Sequence, residues 1–412
     1  MVEHVTICRS PADALQNCTG RRRTQPMKIV KLEPLIVNVS SRANWFFVRI
    51  ETDEKVMGVG EASLNGWEPL QIGYTQMLAQ ELVGKRVDKV GSLVRVHPHS
   101  PGGRVAHSVL SAIEQALTDI RAKSAGLPVH ALLGGALRRS VRGYANINRR
   151  TRDRSPEGFA KSAKDAVAIG FDAVKLAPFD GVYWQDAGDV EAKKRLNLGL
   201  DRIYAVRDAV GRDIDLMVDC HWRFDEAGAI QLLRELQAAR LFWLECPVSE
   251  NPSFHAAQVR IRQLAAEYGT RIAGAERQVG LAGFKPVIDH KLYDVVMPDI
   301  KYAGGFAEMQ RIGSLSAAAG IAFSPHNPSG PVAHMASIHA CAVTENFLIL
   351  EYPLAESSLF TDVVGGIEPA LLNGCFHVPE TPGIGVTLDD DVIGAHPYRQ
   401  LAANATLDPR LG

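Results

Sequence analysis

The 412-residue chain is 46% hydrophobic and 22% charged, with a formal net charge of −1. That is the profile of a soluble globular protein with a large core and no basic excess to attract nucleic acid. No uncharged apolar run reaches the roughly 18 residues a bilayer span needs, and the basic "GRRRTQ" is not followed by an apolar signal core, so a cytoplasmic protein without a membrane partner is expected.

Residues 1–26 are polar and irregular, and Met27 reads as a natural start, so this segment is expected to be a disordered extension or the product of an upstream start codon. From there "KIVKLEPLIVNVSS" and "NWFFVRIETDEKVMGVGEA" alternate or run apolar with turn signals between them, which predicts an antiparallel meander. "VAHSVLSAIEQALTDIRAKSAG" has apolar residues at helical spacing and a glycine stop, and "LPVHALLGG" starts a new turn at Pro128. An α+β capping region is thus predicted over 27–145. Beyond it the pattern becomes strand, loop and helix, repeated: "DAVKLAP", "DLMVDCH", "LFWLECP", "RIAGAE", "DVVMPDI", "IAFSPH" and "FLILEYP". The polar residues Asp219, Glu245, Glu276, Asp299, His326 and Glu351 recur 23 to 31 residues apart, the length of one βα unit. Seven such units, with no G-x-G-x-x-G after the first, favour a closed α/β barrel over an open doubly wound sheet. The barrel is expected over 146–354, and a C-terminal segment, 355–412, is expected to complete barrel and cap.

In a barrel the strand ends meet at one mouth, so acids distant in sequence become neighbours. Carboxylates brought together repel one another unless a cation neutralises them. Oxygen-only ligands select a hard ion, which makes Asp219, Glu245 and Glu276 candidate Mg²⁺ ligands. For any one acid, a salt bridge or helix cap is an equally good reading. The six cysteines form neither a C-x-x-C pair nor a close cluster, so no disulfide frame or structural zinc is expected, and Cys220 and Cys246 are expected to pack as small apolar residues.

From about Met27 to about Ile393 the sequence resembles the enolase superfamily, mandelate racemase branch. The resemblance is carried by "GLPVHALLGG", "VKLAP", "VDCH", "LECP", "GAE", "MPDIKYAGG", "SPHNPSGPVAH", "LEYP" and "PETPGIGV". It implies a modified (β/α)7β TIM-like barrel beneath an α+β cap. It also implies metal ligation by Asp219, Glu245 and Glu276, an Asp299–His326 dyad, and Glu351 as the acid on the following strand. His326 is then the candidate base that removes an α-proton to give an enediolate, with Asp299 fixing its tautomer. Glu351 is a candidate hydrogen-bond donor to the enediolate, or a neighbour of the dyad.

Racemases of this branch carry a K-x-K pair on an early barrel strand, but this chain reads Lys175-Leu176-Ala177. Two-base racemisation is therefore disfavoured. Lys175 is a candidate for the substrate carboxylate, with a structural ion pair as the competing role. The D-x-H of Asp219 and His221 is similar to the acid-sugar dehydratases of the galactonate dehydratase type, in which such a histidine acts as general acid on the departing 3-hydroxyl. On a strand the two side chains would share a face, and a role for His221 as a hydrogen-bonder to the metal site is the alternative. The expected activity is Mg²⁺-dependent dehydration of an aldonate or aldarate to a 2-keto-3-deoxy acid. Racemisation, epimerisation or lactone cycloisomerisation through the same enediolate is the other reading. Specificity is expected from cap loops "SSRANW" and "SLNGWEPLQ", with Trp45 and Trp67, while Arg223, Asn327 and Tyr144 could meet sugar hydroxyls or simply pack. A homo-oligomer is expected only because such enzymes are usually symmetric assemblies.

Overall fold

A computed structural model describes residues 27–89, 102–367 and 371–401. The expected N-terminal extension, 1–26, lies outside the described residues, as do Cys8 and Cys18. The predicted meander is an antiparallel sheet of β1 (Ile29–Ser40), β2 (Ala43–Thr52) and β3 (Met57–Glu61). Strand alternation sends the side chains of β2 to two different cores. Phe46, Val48 and Ile50 pack with helices Glu68–Leu82 and Gly103–Ala125 inside the cap, whereas Trp45 and Phe47 join the cluster that continues into the barrel. The sheet is therefore the seam between cap and barrel. Helix Gly103–Ala125 lies so close to β3 that a Cβ on Gly58 or Gly60 would come within 2.1 Å of the Ala116 or Ala112 carbonyl oxygen. Only glycine permits that approach.

Eight parallel strands follow: β4 (Ser140–Asn146), β5 (Ala173–Leu176), β6 (Asp215–Asp219), β7 (Trp243–Glu245), β8 (Arg271–Gly274), β9 (Val295–Val296), β10 (Ala322–Phe323) and β11 (Leu350–Pro353). Each pairs with its predecessor through β10, Phe323 bridges to Phe347 just before β11, and β11 pairs with β4, with Glu351 opposite Tyr144, so the sheet closes. Strand β4 is an addition to the seven units read from sequence. Its "SVRGYAN" has no apolar run, and the boundary expected at 145 falls inside it. Tyr144, Met217, Trp243, Ala273, Val295, Met297 and Ile349 form a separate cluster among the barrel strands.

After the barrel the chain turns back. β12 (Leu371–Leu372) and β13 (Cys375–His377) form a hairpin whose second strand pairs antiparallel with β4, Phe376 opposite Val141. Residues 396–399 then return to the cap, where Asn38 donates its backbone N–H to the His396 carbonyl and the Asn44 amide donates to that of Arg399, both at 2.9 Å. No helix among the described residues is long and apolar enough to cross a membrane.

Candidate active site

The parallel order puts the C-terminal ends of β6, β7 and β8 side by side, and with them Asp219, Glu245 and Glu276. Each strand leaves the sheet through a residue in the left-handed region: His221 (φ 46°), Cys246 (φ 45°) and Ala275 (φ 73°). Such backbone is uncommon for residues with a Cβ and persists where the surroundings over-determine it. Here it turns the chain sharply at the rim. β6 ends at Asp219, so His221 reaches the acid through this turn rather than by strand alternation. Asp219 Oδ1 accepts the His221 backbone N–H at 2.8 Å, and the ring Nε2 lies 2.8 Å from Oδ2.

The three acids differ in their partners. Burial acts to raise the Asp219 carboxyl, but His221 and the charge of Lys175 together outweigh that and hold it at about 2. Burial also pushes Glu245 well above the usual carboxyl range, although Lys175 donates to its Oε1 at 2.7 Å and the Trp243 indole to its Oε2 at 2.9 Å. Glu276 is pushed up to about 8 by burial and by the charge of Asp219. Its Oε2 is buried and accepts no hydrogen bond from the described residues, the His326 Nε2 standing 3.7 Å away. Buried carboxyls of this kind form a donor set that a hard divalent cation would satisfy. Among the described residues no three His, Cys, Asp or Glu side chains converge as a ready cage: Asp219 is turned onto His221 and Glu245 onto Lys175. Cys220 and Cys246 are buried and free, and burial pushes both thiols well up.

Across the rim, His326 follows β10 and its Nδ1 lies 2.9 Å from Asp299 Oδ2. Burial acts to raise the Asp299 carboxyl, and Lys301 and His326 outweigh it and hold it below the usual value. An ionised Asp299 only accepts, so Nδ1 carries the hydrogen, and in the neutral ring the lone pair is then the one on Nε2. Glu351 accepts from the Asn146 amide at 2.7 Å and Lys175 at 2.9 Å on Oε1, and from the Asn327 backbone N–H at 2.7 Å on Oε2. Burial opposes its ionisation, but Lys175 and His326 hold its carboxyl low, so it stands as an acceptor anchoring the His326 loop. Lys175, 2% exposed, lies between Glu245 and Glu351, the ion-pair arrangement of the two read from sequence.

The proposed sugar contacts are less exposed than a loop reading suggests. Trp45 is buried against Phe47 and Phe360, and Tyr144 meets Trp243 edge-on inside the barrel. The Asn327 amide is held at the Glu351 carbonyl and the His334 ring. Arg223 stacks over Tyr183 and donates to the Val182 carbonyl, and Trp67 is half-buried before helix Glu68–Leu82. Sequence reasoning missed three polar residues: Asn146, Lys301 and Glu61. Lys301 had a signal, a lysine two residues beyond the dyad acid in a segment that is otherwise apolar. Glu61 and Asn146 end short strands and had none.

Comparison with known proteins accords with this fold. Residues 158–392 match the family model described as enolase C-terminal domain-like, and residues 19–134 match the mandelate racemase / muconate lactonizing enzyme N-terminal domain. A D-xylonate dehydratase from Haloferax volcanii is 32% identical over 368 residues, covering 85% of each chain. A D-galactonate dehydratase from Pectobacterium atrosepticum is 28% identical over 376 residues, covering 89% of this chain and 94% of the relative. A solved structure from Burkholderia xenovorans, bound to magnesium and fumarate, superposes with a TM-score of 0.80 at 25% identity over 91% of this chain and 97% of its own. Cap and closed barrel thus coincide with one lineage, and the chain belongs to the mandelate racemase / muconate lactonizing enzyme family of the enolase superfamily.

Proposed function

We propose that the protein is a hydro-lyase that dehydrates a sugar acid, an aldonate or aldarate, to a 2-keto-3-deoxy acid. The observation that carries this is the pairing of two histidines on opposite parts of one rim, His326 on Asp299 and His221 on Asp219, with alanine at 177 where a second lysine base would stand. The dehydratase names of the relatives that align over most of the chain support the same class.

His326 Nε2, left with its lone pair by the bond at Nδ1, takes the proton from C2 of the substrate. The C–H electron pair passes into the carboxylate to give an enediolate. That pair then returns to form the C2–C3 double bond as the C3–O bond breaks, and His221 protonates the departing hydroxyl as water. The enol tautomerises to the 2-keto product. Hydroxide is a poor leaving group, which is why a proton donor is needed on that side. Mg²⁺ held by Asp219, Glu245 and Glu276 would supply the positive charge against which the substrate carboxylate carries its extra electron density. Glu351 and Lys175 keep Glu245 and the His326 loop in place.

The test is a screen of the purified full chain with Mg²⁺ against aldonic and aldaric acids, reading 2-keto acid formation. Turnover of at least one acid is expected. Exchange of the C2 hydrogen with D₂O, with no 2-keto product from any acid, would replace dehydration by racemisation, epimerisation or cycloisomerisation.

A further inference from the structure

Lysine is almost never fully buried unless a paired charge requires it there. Lys301 is 1% exposed, in the short helix Ile300–Ala303 that begins at Asp299. Its backbone N–H donates to Asp299 Oδ1 at 2.8 Å, and its ammonium donates to Oδ2 at 2.8 Å, the oxygen that also meets His326 Nδ1. Both carboxylate oxygens are thereby fixed, and the plane offered to the imidazole is set by Lys301. The same ammonium also donates to the Ser329 hydroxyl, three residues beyond His326 in the same loop. One side chain thus holds both members of the dyad, the acid directly and the histidine through its loop.

The next residue ties this loop to the cap. Glu61, at the end of β3, accepts the backbone N–H groups of Gly330 at 2.7 Å and Ala333 at 2.8 Å, and a Cβ on Gly330 would sit only 2.9 Å from its Oε1. Gly330 directly follows Ser329, so the bonds to Glu61 and from Lys301 fall on adjacent residues of one loop, and the charge of Lys301 acts against the upward push that burial gives the Glu61 carboxyl. The order along this line is Glu61, Lys301, Asp299, His326, running from the seam with the cap to the reacting atom.

We propose that Lys301 is a positioning residue for proton abstraction: it locks the Asp299 carboxylate and the His326 loop in one arrangement and joins that arrangement to Glu61 of the cap. The inference rests on His326 being the base, and on no choice between dehydration and isomerisation. A misplacement of the order of 1 Å at a reacting group costs roughly 100-fold in rate, which sets the scale of the effect.

The test compares Lys301→Met, Lys301→Arg, Ser329→Ala and His326→Asn in the Mg²⁺-loaded full chain, using the acid that the unaltered protein turns over best. Lys301→Met is expected to lower kcat and C2–H exchange about 100-fold with KM within about threefold, and to raise the C2 deuterium isotope effect. Lys301→Arg is expected to recover about tenfold of that loss, and Ser329→Ala to lose about fivefold. A merely structural lysine would reduce the active fraction and leave the isotope effect and the kcat per active site unchanged, which would overturn the proposal. If Lys301→Met does not fold, Ser329→Ala and Lys301→Arg carry the test, and wild-type kcat in both overturns it. His326→Asn separates the two levels: wild-type exchange there means His326 is not the base, whereas a dead His326→Asn beside a normal Lys301→Met overturns this inference alone. Independently of any substrate, a crystal structure of Lys301→Met is expected to show the Asp299 carboxylate rotated away from His326 Nδ1, and an unchanged dyad would overturn the proposal.

Discussion

Replacing Lys175 with methionine removes the cation between two carboxylates that are wholly buried. Its ammonium lies 2.7 Å from Glu245 and 2.9 Å from Glu351, with all three side chains at most 2% exposed. At an effective dielectric of about 20 the attraction to Glu351, whose carboxyl is held low, is about 6 kcal/mol, a gross figure opposed by desolvation, while burial pushes Glu245 towards its neutral form. Breaking a buried pair by deleting one partner has a net cost of about 3–5 kcal/mol, because the remaining charge is left uncompensated. With an unfolding entropy of about 2 cal/mol/K per residue, a loss of about 4 kcal/mol lowers Tm by about 5 °C in a chain of this size. The assay is calorimetry of the metal-free protein at neutral pH, with Lys175→Met/Glu351→Gln alongside. The double variant removes the stranded charge of Glu351 and should recover most of the loss. A single variant that melts within about 1 °C of the unaltered protein would refute the view that Lys175 compensates these acids.

Four further outcomes follow from the geometry. His326→Asn should abolish both C2 exchange and water elimination, while His221→Asn should keep exchange in D₂O and lose 2-keto acid formation; elimination at the wild-type rate in His221→Asn would remove it from the role of acid. Mg²⁺ at about 100 times its dissociation constant should stabilise the fold by about 2.7 kcal/mol, read as a rise in Tm that a chelator reverses. Glu276→Gln should lose most of that rise, and an undiminished response would take Glu276 out of the ligand set. Stability should also depend on Glu114, which accepts the backbone N–H groups of Phe306 and Ala307 and is pushed by burial from 4.5 up to about 7. A carboxyl with its folded value above its unfolded value binds more protons when folded. It therefore stabilises fully below 4.5 and loses that contribution as pH rises to about 7, about 3 kcal/mol in all. Urea unfolding against pH should show this decline in the unaltered protein and a flatter profile in Glu114→Gln.

The barrel was legible because buried parallel strands read as apolar runs at a regular period, and because each polar rim residue ended its run. Strand β4 escaped for the opposite reason. Its outward Arg142 pairs with Asp172 and Asp215, and Gly143 makes room for Phe376, whose ring would lie 2.4 Å from a Cβ there. Neither residue advertises a strand. At the site, the Asp299–His326 pair is the one the sequence suggested, whereas the partners of the other rim residues were not readable. That Asp219 takes its own neighbour His221, and that Lys175 spans strands 70 residues apart to reach Glu245, are facts of the folded rim. Lys301 shows the limit most clearly, since beyond Asp299 its ammonium meets Ser329, which sequence places 28 residues away.

The contact of residues 396–399 with β1 and β2 has a consequence for the order of synthesis. The Asn44 amide and the Arg399 carbonyl it binds are 355 residues apart. Closing so long a loop is entropically costly and slow relative to local pairing. A ribosome that adds roughly 5–20 residues per second would have made the whole cap sheet tens of seconds before its last partner emerges. In that interval the edge of β1 that later receives His396 and Pro397 is an uncovered strand edge, open to any extended segment nearby. The seam between cap and barrel is thus also a place where newly made chains can pair with one another.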